Sequence, residues 1–111
     1  MDKLSLPLVA WVVFVAAAVL EVGGDAVVRK GLRGGGLAWV VLGCLMLGGY
    51  GLVVNLVKWD FSKLLGVYVA VFAVISVLAG RFLFGEDVRL STWGGLVLIV
   101  LGAAVIQFGA R

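Results

Sequence analysis

Four long apolar runs constrain this chain more than any other feature of its sequence. They cover about residues 4–28, 37–57, 64–84 and 92–110, and short polar stretches separate them. A run of roughly 20 apolar residues has the length that an α-helix needs to cross a bilayer. Because lipid offers no hydrogen bonds to a bare backbone, such runs fold as helices. The sequence therefore predicts an all-α membrane protein, with four transmembrane helices in a single domain over residues 1–111.

The composition excludes several other classes of protein. Of the 111 residues, 64% are hydrophobic and 14% are charged, whereas a soluble domain is about half apolar and a quarter charged. The chain has no histidine and one cysteine, Cys44, so we expect no metal site, no cofactor and no histidine-activated nucleophile. Its net charge of +3 is scattered over short connections, which does not favour nucleic-acid binding. We expect the chain not to be an enzyme and its surroundings to be the lipid bilayer.

The lysines and arginines are almost evenly divided between the two sides of the predicted bundle. One side has four and the other has five: Lys3, Lys58, Lys63 and Arg111 against Arg29, Lys30, Arg33, Arg81 and Arg89. An excess of basic residues on one side normally fixes the orientation. The near balance leaves two interpretations open. The chain could have one fixed topology, with charge counts too small to indicate it, or it could insert in both orientations, with two copies packed antiparallel. Four short helices enclose little space, so we expect a homodimer.

Two carboxylates stand near the end of the first apolar run, in the stretch VLEVGGDAVVRKG. Helical periodicity places Glu21, Asp25 and Arg29 on one stripe, which also contains Phe14. Glu21 is about 12 Å along the axis from Arg29, which approaches the middle of a core about 30 Å thick. A charge at that depth costs about 2.5–3.5 kcal/mol and by default marks an ion or substrate pathway. The alternative is a protonated Glu21 that hydrogen-bonds a neighbouring helix.

Asp25 lies one turn closer to the surface than Glu21, and its role stays open. It can pair with Arg29, or the two can act as a gate or relay beside the substrate site. Asn55 lies on a stripe of the second span with Cys44, Gly48 and Gly51, for which close helix packing is the alternative to ligand contact.

The third span has an aromatic stripe that could line the same site. Tyr68 and Phe72 are four residues apart and therefore share a face. Aromatic rings attract cations, and the Tyr68 hydroxyl can reach a carboxylate. Packing between helices or contact with lipid is the alternative for both rings.

Three segments of the chain, AAAVLEVGGDAVVRKGL, FLFGEDVRLSTWGG and GGLVLIVLGAAVI, resemble parts of a known family. They are similar to the acid-bearing first helix, the third connection and the glycine-seamed last helix of the small multidrug resistance transporters, in the drug/metabolite transporter superfamily. The resemblance covers nearly the whole chain. It implies an antiparallel homodimer with one central site, where Glu21 of both subunits binds protons and cations and Tyr68 lies nearby. It also implies that Gly95 and Gly102 pack the dimer.

The chain departs from the pattern of that family at several positions. The third span has no tryptophan and only Gly66 as a glycine before its last turns, and Asp25 is not part of the usual pattern. Guanidinium exporters of the family typically have a tryptophan one turn after the acid, where this chain has Gly24. A lipid-linked-sugar flippase subunit of the same superfamily is therefore an alternative, although such subunits generally lack the acid in the first helix.

These features predict a proton-coupled exporter of small organic cations, such as quaternary ammonium, guanidinium-like or polyamine compounds. Two neighbouring carboxylates in one cavity disfavour each other's ionised form and titrate together, so protons and a cation compete for them. Alternating access would then exchange one for the other. The alternatives are a lipid or lipid-linked-sugar flippase-type subunit and a membrane subunit without transport activity. We expect a multi-pass protein of a prokaryotic plasma (inner) membrane.

Overall fold

Residues 6–109 are described by a computed structural model, and within them the regular structure is entirely helical. Helix α1 covers Pro7–Lys30, α2 covers Leu37–Val54, α3 covers Phe61–Phe82 and α4 covers Leu90–Phe108. All four are long and apolar enough to cross a membrane. This confirms the predicted all-helical fold with four helices able to span a bilayer. The antiparallel dimer and the single-domain organisation stay predictions, and the predicted ends at residues 4 and 110 lie outside the described residues, as do Lys3 and Arg111.

The helices do not end where the apolar runs end. Helix α1 continues to Lys30 and not just to Val28, and α3 begins at Phe61 and not at Leu64. Hydropathy indicates which residues favour lipid, whereas helical hydrogen bonding can continue into the polar interface. At the end of α1, Arg29 and Lys30 lie in the last turn, where cations are stabilised by the partial negative charge of a helix C-terminus.

The first of two compact units extends to Lys58 and contains α1, α2 and a glycine-rich turn. Residues Gly31–Gly35 form one wide turn, and the Gly36 N–H donates a hydrogen bond of 3.1 Å to the Gly31 carbonyl. The φ angles of Gly34 and Gly36 are 109° and 101°. Positive φ angles of this size favour glycine, because glycine has no Cβ to clash with the backbone. The glycines therefore allow the chain to reverse direction between two long helices.

The second unit begins at Trp59 and contains α3, α4 and the connection between them. At the end of α3 the Phe84 N–H donates to the Ala79 carbonyl at 3.1 Å, and the Glu86 N–H donates to the Gly80 carbonyl at 2.9 Å. Gly85 has a φ of 66°. The Glu86 carboxylate lies against Gly80, at the place where a Cβ would be. These contacts fold the start of the connection back onto the last turn of α3.

Burial is uneven among the four helices. Helix α1 buries Phe14 together with the small residues Ala10, Ala17, Ala18 and Gly24, whereas α4 buries Ala103 alone. Large apolar side chains are exposed on every helix. For a soluble protein such extensive apolar exposure would be an aggregation hazard, but lipid tails are as apolar as these side chains. The exposed surface of the described residues therefore suits a bilayer.

Candidate functional site

The first hairpin packs through positions where glycine brings the two backbones together. A Cβ built on Gly43 of α2 would lie 2.7 Å from the Val28 nitrogen and 2.8 Å from the Gly24 oxygen. A Cβ on Gly31 would lie 2.7 Å from the Val40 nitrogen. No side chain fits at such distances, so these contacts need glycine. Close approach of this kind is how small residues join helices in membranes.

Successive contacts define what we call the α1–α2 seam. Gly31 meets Val40, Gly43 meets Val28, and Gly24 meets Leu47. The next positions of the same pattern are Glu21 and Tyr50. The members are Gly31, Val28, Gly24 and Glu21 on α1, and Val40, Gly43, Leu47 and Tyr50 on α2. Steps of three and four residues on both helices keep the seam facing its partner helix.

Glu21 and Tyr50 interact in the way that this register requires. Both residues are half-buried, and the Glu21 carboxylate lies close enough to the Tyr50 hydroxyl for the two groups to interact electrostatically. A phenol can donate one hydrogen bond, and an ionised carboxylate only accepts them. The packing of the first hairpin thus positions a titratable acid beside a donor that can stabilise its ionised form.

Glu21 lies well inside the apolar segment of α1. Nine residues separate it from Lys30 at the end of the helix, which corresponds to about 13 Å along the axis. An ionisable group at such a depth is rare in membrane helices, where it is costly and commonly functional. The described helix extends beyond Glu21 far enough for the predicted depth, and the depth itself stays a prediction.

Asp25 and Arg29 do not form the ion pair that their spacing allows. Both side chains are exposed, and among residues 6–109 no ion pair joins them. The pairing is one of two alternatives for Asp25, and this structure does not form it. The physical reason is that an exposed pair four residues apart gains only about 0.3–0.5 kcal/mol, which does not hold two mobile side chains together. A gate or relay role for Arg29, and a substrate role for Asp25, stay predictions.

Asp25 also leaves the face that Glu21 occupies. Four residues exceed one helical turn by about 40°, so a stripe of i+4 steps rotates around the helix. Gly24 occupies the seam instead, and it is buried, whereas Asp25 is exposed. The two carboxylates therefore have different surroundings within the first unit.

The predicted packing stripe of α2 lies one residue away from the observed one. Cys44 and Gly48 are exposed, and a Cβ on Gly48 or Gly51 would meet nothing within 4 Å. The stripe Cys44, Gly48, Gly51 and Asn55 is therefore not the one that packs on α1. A shift of one residue rotates a stripe by 100°, which places Tyr50 on the face of α2 towards Glu21 and turns the predicted stripe away from α1.

Asn55 is bound to its own helix. Its Nδ2 donates a hydrogen bond of 2.8 Å to the Gly51 carbonyl at the end of α2, and the side chain is exposed. This bond satisfies one of the carbonyls that a helix end leaves without an intrahelical partner. A part for Asn55 in substrate binding stays a prediction.

Phe14 is fully buried two turns before Glu21, and its ring meets that of Trp11 edge-on at a centroid distance of 6.0 Å. It lies about 10 Å from Glu21 along the axis, since seven residues separate them. At that distance Phe14 could line a cavity that contains Glu21, or it could pack only against neighbouring side chains. Its role as a substrate contact stays a prediction.

The aromatic pair of α3 is formed as its spacing predicts. The rings of Tyr68 and Phe72 have centroids 6.5 Å apart and are tilted by 32°. Tyr68 is buried and Phe72 is half-buried. The Ser76 hydroxyl donates a hydrogen bond of 2.7 Å to the Phe72 carbonyl. The proximity of Tyr68 to Glu21, which the family resemblance implies, stays a prediction.

Helix α4 keeps its glycines open. A Cβ on Gly95 or Gly102 would meet nothing within 4 Å. The part of the chain that the structure describes contains no cluster of residues able to bind a metal ion. A packing role for these two glycines in a dimer stays a prediction.

Sequence reasoning missed Tyr50, although a signal was present. The short turn between α1 and α2 requires an antiparallel hairpin in which Gly31 and Val40 are close. Counting outward from that pair by equal steps on both helices reaches Glu21 and Tyr50 together. The prediction treated the surrounding GGYG as glycines for close approach and did not consider the tyrosine.

Comparisons with other proteins identify similar membrane proteins but no activity. A family model described as "Uncharacterised BCR, YnfA/UPF0060 family" matches residues 8–111. A UPF0060 membrane protein of Frankia casuarinae is 37% identical over 100 residues, with 88% of this chain and 91% of the relative covered.

Two further relatives have the same description. One from Saccharopolyspora erythraea is 36% identical, covering 90% of this chain and 93% of the relative. One from Mycobacterium marinum is 34% identical, covering 88% and 91%. No solved structure gives a significant match.

Proposed function

The chain belongs to the YnfA/UPF0060 family of membrane proteins, and we propose that it exchanges small organic cations for protons across a prokaryotic plasma membrane. The observation that carries this proposal is Glu21, a half-buried carboxylate inside an apolar helix. The α1–α2 seam positions it next to Tyr50. The likeness to small multidrug resistance transporters supports the same activity.

The proposed working unit is an antiparallel homodimer with one Glu21 from each subunit in a shared cavity. Two carboxylates that share a site oppose each other's ionisation, so the pair binds and releases protons as a unit. A cation stabilises the ionised pair and therefore displaces protons. Protons bound from the other side displace the cation in turn. Alternating access then couples the two movements in opposite directions.

Tyr50 is a positioning residue in this mechanism. Its hydroxyl can donate a hydrogen bond to the ionised Glu21 and hold the carboxylate in one orientation. Such a bond is retained when a cation replaces the proton, because the ionised form is then the one present. The residue thereby favours the cation-bound state over a protonated state in which the carboxyl needs fewer donors.

The decisive experiment measures currents of the purified protein in liposomes on a solid-supported membrane. The screen applies guanidinium, polyamines and aromatic quaternary ammonium ions at several pH values. We expect currents for at least one class that weaken as the pH falls, because protons then compete for Glu21. Glu21→Gln should abolish the cation-driven release of protons. Asp87→Asn, in the exposed connection after α3, is the matched control, and Asp25→Asn decides the role of Asp25.

Three results would overturn the proposal. Proton release that persists unchanged in Glu21→Gln contradicts proton coupling through that carboxylate. Binding of a lipid headgroup without any response to soluble cations indicates a flippase-type subunit. Silence towards all three cation classes, with the protein folded, indicates a membrane subunit without transport activity of its own.

A further inference from the structure

The turn that joins α1 to α2 has an unusual concentration of positive charge. Arg29, Lys30 and Arg33 lie within five residues, and no Asp or Glu occurs from residue 26 to residue 59. The other two connections are more balanced. Lys58 and Lys63 flank Asp60. The last turn of α3 and the connection after it together have two acids and two bases, Arg81, Glu86, Asp87 and Arg89. The first turn therefore has three cations and no carboxylate of its own, and the nearest acid in sequence, Asp25, lies one helical turn before Arg29.

The geometry of this turn keeps its charge available. Arg29 and Arg33 are exposed, and within the described residues neither forms an ion pair. Cations in the last turn of a helix are stabilised by the helix dipole. The helix dipole accounts for the presence of Arg29 and Lys30 in the last turn. It does not account for Arg33, which lies beyond α1 in non-helical backbone with φ −100° and ψ 32°.

Lys30 and Trp39 mark the depth of the turn in the membrane. The Lys30 ammonium lies 4.0 Å from the centroid of the Trp39 ring, a cation–π contact. Tryptophan favours the boundary between acyl chains and headgroups. The contact therefore holds a positive charge at headgroup level, with Leu32 and Leu37 exposed nearby at 74% and 76%.

Residues 34–36, after Arg33, are glycines and have no side chains. A Cβ on Gly34 or Gly36 would meet nothing within 4 Å, whereas Gly35 packs against the Trp39 ring. A phosphate group can therefore approach the backbone at Gly34 and Gly36 without displacing side chains. Its acyl chains would meet the exposed leucines, and its charge would meet the two arginines.

We propose that this turn, residues 29–39, binds the phosphate of an anionic phospholipid from the leaflet that it faces. The combination of three cations, an interfacial tryptophan and exposed leucines suits a lipid more than a free ion. Each juxtamembrane Lys or Arg contributes about 1 kcal/mol towards an anionic surface. One cation thus accounts for roughly a fivefold preference. The site does not include Glu21 or Tyr50, and Arg29 is the one residue that it shares with the predicted gate or relay.

Quenching of Trp39 by brominated lipids tests this site directly. The protein with Trp11, Trp59 and Trp93 replaced by phenylalanine is reconstituted in phosphatidylcholine vesicles containing 30% phosphatidylglycerol, with either lipid brominated. We expect brominated phosphatidylglycerol to quench Trp39 at least about fivefold more effectively per molecule than brominated phosphatidylcholine. A protein retaining Trp59 alone is the matched control, since Lys63 lies 4.4 Å from its ring centroid but an acid is close in sequence. A ratio near one for Trp39 overturns the proposal.

Charge variants and a soluble competitor separate the site from a general surface effect. Arg29→Gln with Arg33→Gln should lower the Trp39 ratio severalfold, because Lys30 is then the one cation left in this turn, whereas Arg81→Gln with Arg89→Gln should leave the ratio unchanged. A variant with lysine at both positions, 29 and 33, keeps the charge and should retain the preference. That result would show that substitution at these two positions does not unfold the protein. An equal loss from both glutamine pairs overturns a local site. Inorganic phosphate that reduces the ratio more than chloride of equal ionic strength indicates a site for free phosphate and overturns the lipid assignment.

Discussion

The two hairpins of the chain both contain many glycines but use them differently. In the first hairpin, Gly24, Gly31 and Gly43 bring the backbones of α1 and α2 into contact. In the second, Gly66 faces the side chain of Ile106, and Gly95 and Gly102 face open space. The number of glycines therefore does not indicate how tightly a membrane hairpin is packed. What matters is whether glycines on the two helices occupy matching positions.

The two hairpins, which differ in how closely their helices pack, also differ in where their acidic residues lie. The tightly packed hairpin has the one carboxylate that lies deep in an apolar helix, Glu21, and the tyrosine that faces it. The second hairpin has its acids in the connection, with Glu86 against Gly80. A close backbone contact restricts the movement of neighbouring side chains, so the first hairpin is suited to hold a titratable pair in one geometry.

We expect the largest effect from a substitution that disrupts the α1–α2 seam of the first hairpin. Gly43→Val introduces a Cβ 2.7 Å from the Val28 nitrogen, where backbone has to move. We expect a loss of about 3 kcal/mol in the free energy of unfolding, at the upper end of the cost of overpacking. Gly48→Val on the same helix is the matched control, because its Cβ meets nothing within 4 Å. Unfolding titrations in detergent micelles compare the two, and equal losses would contradict the seam.

Replacing the tyrosine of the seam tests its part in the proposed transport. Tyr50→Phe removes the donor beside Glu21 and should weaken the apparent cation affinity about tenfold, the size of a hydrogen bond to a charged group. The pH profile of the current should shift as well, while protein stability changes little. Tyr68→Phe is the comparison from the second hairpin. An effect of Tyr68→Phe alone would assign the positioning role to Tyr68.

A smaller effect is expected where glycine meets a flexible side chain. A Cβ on Gly66 would lie 2.7 Å from Cδ1 of Ile106, and the end of an isoleucine can rotate away. Gly66→Ala should therefore destabilise the protein by about 1 kcal/mol, the low end of overpacking. Combining it with Ile106→Val removes the conflicting methyl group and should restore most of the loss. Thermal melting in detergent compares Gly66→Ala, the double variant and Gly43→Val, and a loss in Gly66→Ala as large as that in Gly43→Val would remove the contrast between the hairpins.

The smallest effect on the single chain is expected at the open glycines of α4. Gly102→Leu should change the stability of the folded chain by no more than about 0.5 kcal/mol, as for other exposed positions. If Gly102 packs the proposed dimer, the same change reduces the dimer fraction measured by cross-linking in vesicles. An unchanged dimer fraction would contradict the packing role of this glycine and leave the contrast between the hairpins intact.

The sequence predicted the helices well because lipid allows so few alternatives. Runs of about 20 apolar residues in a bilayer have to satisfy their own backbones, so four runs give four helices. The depth of Glu21 followed from the same geometry, since rise per residue and helix length are nearly constant. Helix ends were less predictable, because hydropathy does not report where hydrogen bonding stops.

The faces of the helices were harder to predict than the helices themselves. Steps of four and three residues from Cys44 gave a stripe that is one residue away from the observed seam, because apolar runs lack the polar face that marks orientation in soluble helices. Asp25 and Arg29 have the spacing of an ion pair that the structure does not form, because spacing permits an exposed ion pair without enforcing it. The register of the first hairpin followed instead from backbone contacts at Gly31 and Gly43.

The α1–α2 seam also has a consequence for how the protein enters the membrane. All of its members lie between Glu21 and Tyr50, so the hairpin needs no later part of the chain to close. During synthesis the first two helices can leave the translocon as a pair, with Tyr50 already beside the carboxylate. The insertion of Glu21, which alone would cost about 2.5–3.5 kcal/mol, is then eased before α3 is made. Biogenesis and the proposed activity thus depend on the same two side chains.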